Sequence, residues 1–314
     1  MSGDPTPAHL LLRRYSSEAR ARAARQRRLE RLAPALLETA RRAEAAGRGL
    51  RERDPIAFAH RYQAPLDREL VALVAATLAF GNAVAIAGTL ERVVAILGPR
   101  PREVEAGRLS RLEGLRHRWV SGKALRALHR GVLRVQEEAG SLGAALGRAR
   151  RDGRDLREAL ATWRAGLLLA ARPRGEEEDR GLRYLLSDPR GAGASKRLHL
   201  FLRWMVRGPD GVDLGLWRGE GAPRPSELIV PLDTHVHWLA RAIGLLERRD
   251  AGWKSAEEIT WMLRGIDPED PLRFDFPLAH LGISGGCRHR HVASICRECP
   301  LATVCRPALR AASR

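Results

Sequence analysis

Asp188-Pro189-Arg190-Gly191-Ala192-Gly193-Ala194-Ser195-Lys196-Arg197 runs straight into the apolar stretch Leu198-His199-Leu200-Phe201-Leu202-Arg203-Trp204. Helix, Gly-x-Gly turn and helix is the wiring of a helix-hairpin-helix element, expected over about residues 183–206. The glycines let backbone N–H groups approach a phosphate, and the N-terminus of the following helix adds a positive dipole end. Such a turn is also an ordinary helix connection, so its weight depends on what surrounds it.

What surrounds it is helical. Leu36, Leu37, Ala40 and Ala43 mark one apolar face, and Leu70, Leu73, Val74 and Leu78 mark another. Further helices fit Ala83–Leu97, Gly122–Glu138, Asp155–Ala170, Ser195–Val206, Thr234–Leu246 and Ala256–Arg264, the last with a Ser255/Glu258 capping-box pattern. The only tempting strand, Leu228-Ile229-Val230, is cut short by Pro231. The expected fold class is therefore all-α. Two stretches read as breaks: an acidic loop over Arg172–Gly181, and a Gly- and Pro-rich insertion over Arg207–Pro225.

Downstream stands Val230-Pro231-Leu232-Asp233-Thr234-His235-Val236, leading into Trp238-Leu239-Ala240-Arg241. Asp233 falls where a helix N-cap belongs. At the mouth of a cleft the same carboxylate would stabilise a developing cation. His235 and His237 diverge by about 200° on a helix and cannot share a metal, so they are read as structural or DNA-facing.

All four cysteines lie within nineteen residues, as Cys287, Cys296, Cys299 and Cys305 in a C-x8-C-x2-C-x5-C array. Disulfides are one reading, disfavoured if the chain is cytosolic. Structural zinc is another, although zinc sites usually present two separated C-x2-C knuckles and here there is one. A compact, asymmetric run of four thiolates better suits a [4Fe–4S] cluster. Arg288, Arg290, Arg297, Arg306, Arg310 and Arg314 flank it against a single acid, Glu298, and either offset the metal–thiolate charge or meet phosphate.

Composition sets the outer bounds. The 314 residues carry 55 Lys plus Arg against 37 Asp plus Glu, a formal charge of +18. That excess points to a polyanion partner, held through release of condensed counterions. Only 5% of residues are aromatic, which argues mildly against a single-strand stacking platform. The apolar run Val71–Phe80 is too short to cross a bilayer, and Leu10–Leu12 before Arg13-Arg14 makes no signal core. A cytoplasmic, nucleoid-associated monomer is expected, with no membrane partner. The first 33 residues, with eight arginines, read as a basic helix or arm.

Taken in order, these phrases resemble the endonuclease III-type helix-hairpin-helix superfamily of DNA glycosylases. The resemblance rests on Gly191-Ala192-Gly193, on Leu232-Asp233-Thr234-His235, and on the cysteine array preceded by Phe274-Asp275-Phe276-Pro277-Leu278-Ala279-His280-Leu281-Gly282. Trp119-Val120-Ser121-Gly122-Lys123-Ala124 looks like the family's helix start ahead of the hairpin, and Leu78-Ala79-Phe80-Gly81-Asn82 falls at its wedge segment. The match is colinear over roughly residues 66–305. Asp54-Pro55-Ile56, His60-Arg61-Tyr62 and Ser195-Lys196-Arg197 with the helix after it look like a separate bacterial branch. That helix is also similar to the one in archaeal 8-oxoguanine glycosylases. Three departures stand out: Lys196 lies one position later than in the family's G-x-G-x-K, Lys196 and Asp233 are 37 positions apart, and the first cysteine interval has eight residues where the family has six.

The resemblance implies a two-lobed helix-hairpin-helix glycosylase fold. An N/C-terminal lobe would comprise 34–65 plus 232–314, with the iron–sulfur loop at 284–308, and a helical barrel lobe 66–231. It implies a base-excision enzyme on double-stranded DNA that cleaves the N-glycosidic bond of a flipped, damaged base. Asp233 would be catalytic, with Lys196 an AP-lyase nucleophile or a phosphate contact. Gly191, Gly193, Ser195, Arg197, Asn82 and His235 would contact DNA, and the four cysteines would hold the cluster. Two competing expectations are a non-catalytic iron–sulfur DNA-binding or redox-sensing protein, and a zinc-stabilised RNA-binding module.

Overall fold

The computed structural model describes residues 8–151, 154–172, 179–283 and 286–313. It is 65% helix and 2% strand, an all-α architecture. The expected acidic loop falls largely at 173–178, outside the described residues, as do residues 1–7 of the basic arm and residues 284–285 at the start of the cysteine segment.

Helix α1 (Ala8–Ala46) runs without interruption through Pro34. The basic arm and the segment after it are thus one helix, not two units divided at residue 33. Its second half is tied down because Leu29, Leu32, Leu36 and Ala40 recur at helical spacing and are buried. Then come α2 (Pro65–Thr77), whose residues Glu69–Thr77 are all buried, and α3 (Ala83–Leu97), capped by the Asn82 side chain on the Ala85 N–H at 2.8 Å. A two-residue hairpin, β1 (Arg116–His117) and β2 (Val120–Ser121), was not anticipated from the sequence. It leads into α4 (Gly122–Ala139), α5 (Leu142–Arg150), α6 (Leu156–Ala171) and the short α7 (Arg180–Leu185).

Helix α8 (Lys196–Val206) is the second helix of the expected hairpin, and every residue from Arg197 to Val206 is buried. It is followed by α9 (Thr234–Ile243), α10 (Trp253–Arg264), α11 (Asp275–Ile283) and α12 (Arg306–Ala312). Helix α9 stops three residues short of the expected Leu246, because Gly244 takes a left-handed C-cap at φ 80° that a side chain would resist. Helix α10 starts three residues earlier than expected. Ser255 lies inside it and donates to the Asp250 carbonyl, while Glu258 accepts from the Glu247 N–H, so the capping box does not form. Leu228–Val230 forms no strand, as Pro231 leads one to expect.

Packing falls into two groups that share one continuous apolar core. In one, α1 and α9 meet α11, and α1 and α10 meet the 3-10 turn Pro271–Phe274; in the other, α2, α4, α6 and α8 pack together with the turn Pro55–Arg61. The stretch read as an insertion is built into the second group. Leu214 and Trp217 are buried, and the Trp217 indole N–H donates to Glu69 at 2.7 Å. Glu69 also accepts from the Gln136 side chain and from the Leu142 and Gly143 N–H groups at the start of α5. One buried carboxylate thereby ties four segments together.

His199, inside α8, is sealed beside Trp253 with both ring nitrogens unpaired. Burial holds its pKa down, to about 4, and the nearby Arg157 charge pushes the same way. An unfolded imidazole titrates near ~6.5, so below that pH the unfolded chain takes up a proton the folded chain refuses. Stability is therefore lost as pH falls from about 6.5 toward 4. Between pH 7 and 4.5 His199→Phe should lose about 2–3 kcal/mol less than the parent in urea denaturation. Equal losses in the two proteins would contradict this.

Candidate active site

Lys196 and Asp233, 37 residues apart in sequence, meet in space. The Lys196 Nζ lies 3.2 Å from Asp233 Oδ2, and the two side chains are 31% and 27% exposed. Each is placed by a helix start. Asp233 caps α9 by accepting the Val236 N–H at 2.8 Å, and Lys196 is the first residue of α8. The capping role and an outward-facing role therefore coexist in Asp233, because one oxygen serves the backbone and the other serves Lys196. Lys196 Nζ also lies 3.5 Å from the Ala79 carbonyl, which aims the amine across the space between α8 and the end of α2.

Both residues line a cleft of about 640 Å³, within the size range of small-ligand sites. Phe58, Phe80, Leu200 and Pro231 supply apolar wall, and Asp54, Arg203 and Asp275 supply buried charge. Phe80 is fixed edge-on against His117 and Tyr184, at centroid distances of 4.6 and 5.2 Å, so the unanticipated hairpin acts as its buttress.

Beneath the exposed pair lies a sealed one. Arg203 donates to Asp275 at 2.5 Å and to Asp213 at 3.1 Å, and the Arg203 and Asp275 side chains are only 2% and 3% exposed. Arg207 bridges Asp213 and Asp270, and Asp54 is paired with His280 at 3.2 Å. Burial opposes the Arg203 charge, but Asp213, Asp275 and Asp54 outweigh it and hold the guanidinium above its ordinary range. Burial pushes the Asp275 carboxyl up, and Arg203 pulls it back. Sequence reasoning gave none of Asp54, Asp213 or Asp275 a role. Each is an isolated acid with no spacing signal, recognisable only when the chain is folded around Arg203.

The other expected contacts divide. Gly191 and Gly193 are exposed on the hairpin, whose turn is pinned by a bridge between Gly193 and Gly252 and by the Trp253 N–H on the Ala192 carbonyl. Ser195 is buried in the left-handed region at φ 45°, its hydroxyl on the Asp188 carbonyl. Arg197 is the clearest correction. It is buried, donates to the Leu185 and Tyr184 carbonyls, and stacks over the Tyr184 ring at 4.1 Å, so it buttresses the hairpin and is not presented to DNA. Its position after Lys196 turns it to the inner face of α8. Asn82 is exposed beside Gly81 at the cleft, serving as the α3 cap.

His235 lines the cleft rim and hydrogen-bonds His289 at 2.5 Å, and His289 in turn stacks on Trp238 at 4.6 Å. This stack joins α9 to the cysteine segment. Cys287, Cys296, Cys299 and Cys305 are half-buried, free of disulfides, and line one narrow pocket walled by Trp238, Leu239 and Leu281. Burial raises the thiol pKa of Cys287, Cys299 and Cys305, with neighbouring cysteines adding to the shift. Among the described residues no group of three or more His, Cys, Asp or Glu side chains is arranged to hold a single metal ion. The four thiols surround a pocket without closing on a point.

Residues 54–284 match the family model described as Protein of unknown function (DUF2400). The chain belongs to this family. Lys196, Asp233, Arg203 and Asp275 all lie inside the DUF2400 stretch, whereas all of α1 and all four cysteines lie outside it. Comparisons with curated proteins and with solved structures found no match. Among the described residues no helix is long and apolar enough to cross a membrane.

The wall behind His235 gives a direct test of the rim. A Cβ on Gly282 would sit 2.4 Å from the His235 ring, so the ring is locked by the absence of a side chain there. Gly282→Ala should cost about 1–3 kcal/mol in chemical denaturation through overpacking. A variant within about 0.5 kcal/mol of the parent would show that His235 is not held in place.

Proposed function

We propose that this protein is a DNA glycosylase of the helix-hairpin-helix type, acting on double-stranded DNA and using Lys196 as an amine nucleophile. The observation that carries the reading is the Lys196–Asp233 pair in an apolar-walled cleft, set against how the chain uses its basic residues. Of 55 basic residues, 52 are arginine and three are lysine, namely Lys123, Lys196 and Lys254. Arginine binds phosphate well but does not give up its proton in proteins, whereas a lysine amine can become a nucleophile. In a chain that meets nearly every need for positive charge with arginine, a lysine held on a carboxylate inside a cleft points to chemistry.

The reaction begins with a nucleotide turned out of the duplex, at a cost of a few kcal/mol that damage or mispairing reduces. Asp233 takes a proton from the Lys196 ammonium and leaves Nζ with a lone pair. That pair forms a bond to C1′ as the C1′–N bond breaks and its electrons leave with the base, which recovers the proton from Asp233. Once it has passed that proton to the base, the Asp233 carboxylate faces the positive charge left on the sugar and on the newly bonded nitrogen. Opening of the sugar ring to a Schiff base then permits β-elimination of the 3′ phosphate, giving strand cleavage. The exposed turn at Gly191 and Gly193 and the excess of arginine supply contacts to the phosphate backbone.

The cysteine segment fits a [4Fe–4S] cluster better than zinc. Zinc sites usually present two separated C-x2-C knuckles and this array has one, while a compact, asymmetric run of four thiolates suits a cubane. Cys287, Cys296, Cys299 and Cys305 would hold it, with Arg288 and Arg290 at the pocket offsetting its charge. When bound, the cluster supplies a rigid staple for the segment that carries His289, with redox capacity set by its surroundings. The anaerobically purified protein should be brown with about four irons per chain, and Cys299→Ser should lose iron; zinc in its place would contradict the assignment.

The function is tested by incubating the metal-loaded protein with a panel of duplexes that each carry one damaged base, with and without alkali. Base release should fall about a hundredfold or more in Asp233→Asn. Lys196→Ala should lose strand cleavage without alkali. Absence of base release from every duplex by the parent protein would contradict the reading.

A further inference from the structure

At the end of α9 away from the cleft, the two ends of the chain bring arginines together. Arg27, Arg28 and Arg31 of α1 and Arg306 of α12 line a pocket of about 380 Å³ with Gly244, the C-cap of α9. Glu247 is the one acid among the lining residues, and Arg28 already holds it at 2.7 Å. Arg28 also donates through Nε to the Gly244 carbonyl, so its guanidinium belongs to the framework that docks α1 on α9.

The other three arginines have no such duty. Among the described residues no carboxylate lies within ion-pair distance of Arg27, Arg31 or Arg306, and all three are exposed. Arg31 Nη2 and Arg306 Nη2 come within 3.3 and 3.6 Å of the place that a Cβ on Gly244 would take. Two like charges from opposite ends of the sequence therefore converge over a residue with no side chain. Holding them there costs repulsion, which an anion seated between them would turn into attraction. Guanidinium forks match phosphate oxygens in pairs.

We propose that this pocket is a second contact to duplex DNA, binding a backbone phosphate at a distance from the cleft. Exposed arginines suit a phosphate carried on a strand that lies over the surface. Asp233 and Gly244 cap opposite ends of α9, eleven positions apart, which is about 16 Å at 1.5 Å per residue. At about 3.4 Å per base pair along the duplex axis, the contact falls about five base pairs from the extruded nucleotide. Arg27, Arg31 and Arg306 lie outside residues 54–284, so the contact comes from segments beyond the DUF2400 stretch. The proposal rests on the DNA-binding part of the glycosylase reading and concerns affinity alone.

The test measures binding of the metal-loaded full chain to duplexes with a central, uncleavable tetrahydrofuran abasic analogue, across a range of salt. Arg31→Gln/Arg306→Gln should bind a long duplex about 10-fold more weakly near 0.1 M salt, and its log–log salt slope should be shallower by about 1, as for one lost phosphate. Arg100→Gln/Arg224→Gln, which removes two exposed arginines elsewhere, should keep the parent's slope. Cutting one flank of the duplex to three base pairs should weaken the parent about 10-fold and leave the Arg31/Arg306 variant unchanged. An unaltered slope in that variant at an unaltered urea midpoint, or an equal drop in the control, would overturn the proposal. So would pyrophosphate that raises the parent's urea midpoint through these arginines while duplex binding ignores them, since the pocket would then serve a small anion. Base release is followed on lesion duplexes with the same proteins. Flank-dependent binding without base release would keep the contact and remove the glycosylase reading; base release with an unaltered slope would do the reverse.

Discussion

Two carboxylates at helix starts face two cations on one side of α8, and the cleft depends on that opposition. Asp233 and Asp275 are held by the α9 and α11 termini, where negative charge is favoured by the helix dipole. Lys196 and Arg203 are spaced by the helical repeat of α8, whose other faces are buried throughout. The rigid parts of the fold thus fix the charges, and the apolar walls at Phe58, Phe80 and Pro231 keep the space between them from collapsing. If α8 were rotated by one residue, neither pair could form.

The sealed pair is the costly part of this arrangement. Breaking a buried ion pair by removing one partner typically costs about 3–5 kcal/mol, since a charge is left unpaired away from water. Arg203 is insured against that by having Asp213 as well as Asp275, and Asp213 by having Arg207. The Gly- and Pro-rich stretch that supplies Asp213 is for this reason part of the site's foundation. Trp217, a few residues on, anchors the same stretch to Glu69 in α2.

Much of this was legible in the sequence, and the limits have physical causes. The helical class followed from apolar spacing, and α3 was placed to the residue because Asn82 and Gly98 mark its ends. Asp233 was recognisable because a cap residue precedes an apolar helix. Its meeting with Lys196 was expected only through a family resemblance, since no local pattern links positions 37 apart. Arg197 misled because basic residues at a hairpin read as phosphate contacts, whereas the turn of α8 carries this one inward beneath Tyr184. The Ser255 capping pattern misled because Gly252 starts α10 a turn earlier, where it packs against the hairpin at Ala192. The ion network beneath the cleft was invisible because its acids come from three separate stretches, at 54, 213 and 270–275.

The central claim is that the Lys196 amine faces the sugar of an extruded nucleotide. The most direct measurement is borohydride reduction of the parent protein mixed with a duplex that holds an abasic site, followed by peptide mapping of the covalent product. The account predicts one protein–DNA adduct, attached at Lys196 and at neither Lys123 nor Lys254. An adduct mapped to another amine, or none from a protein that binds the duplex, would contradict it.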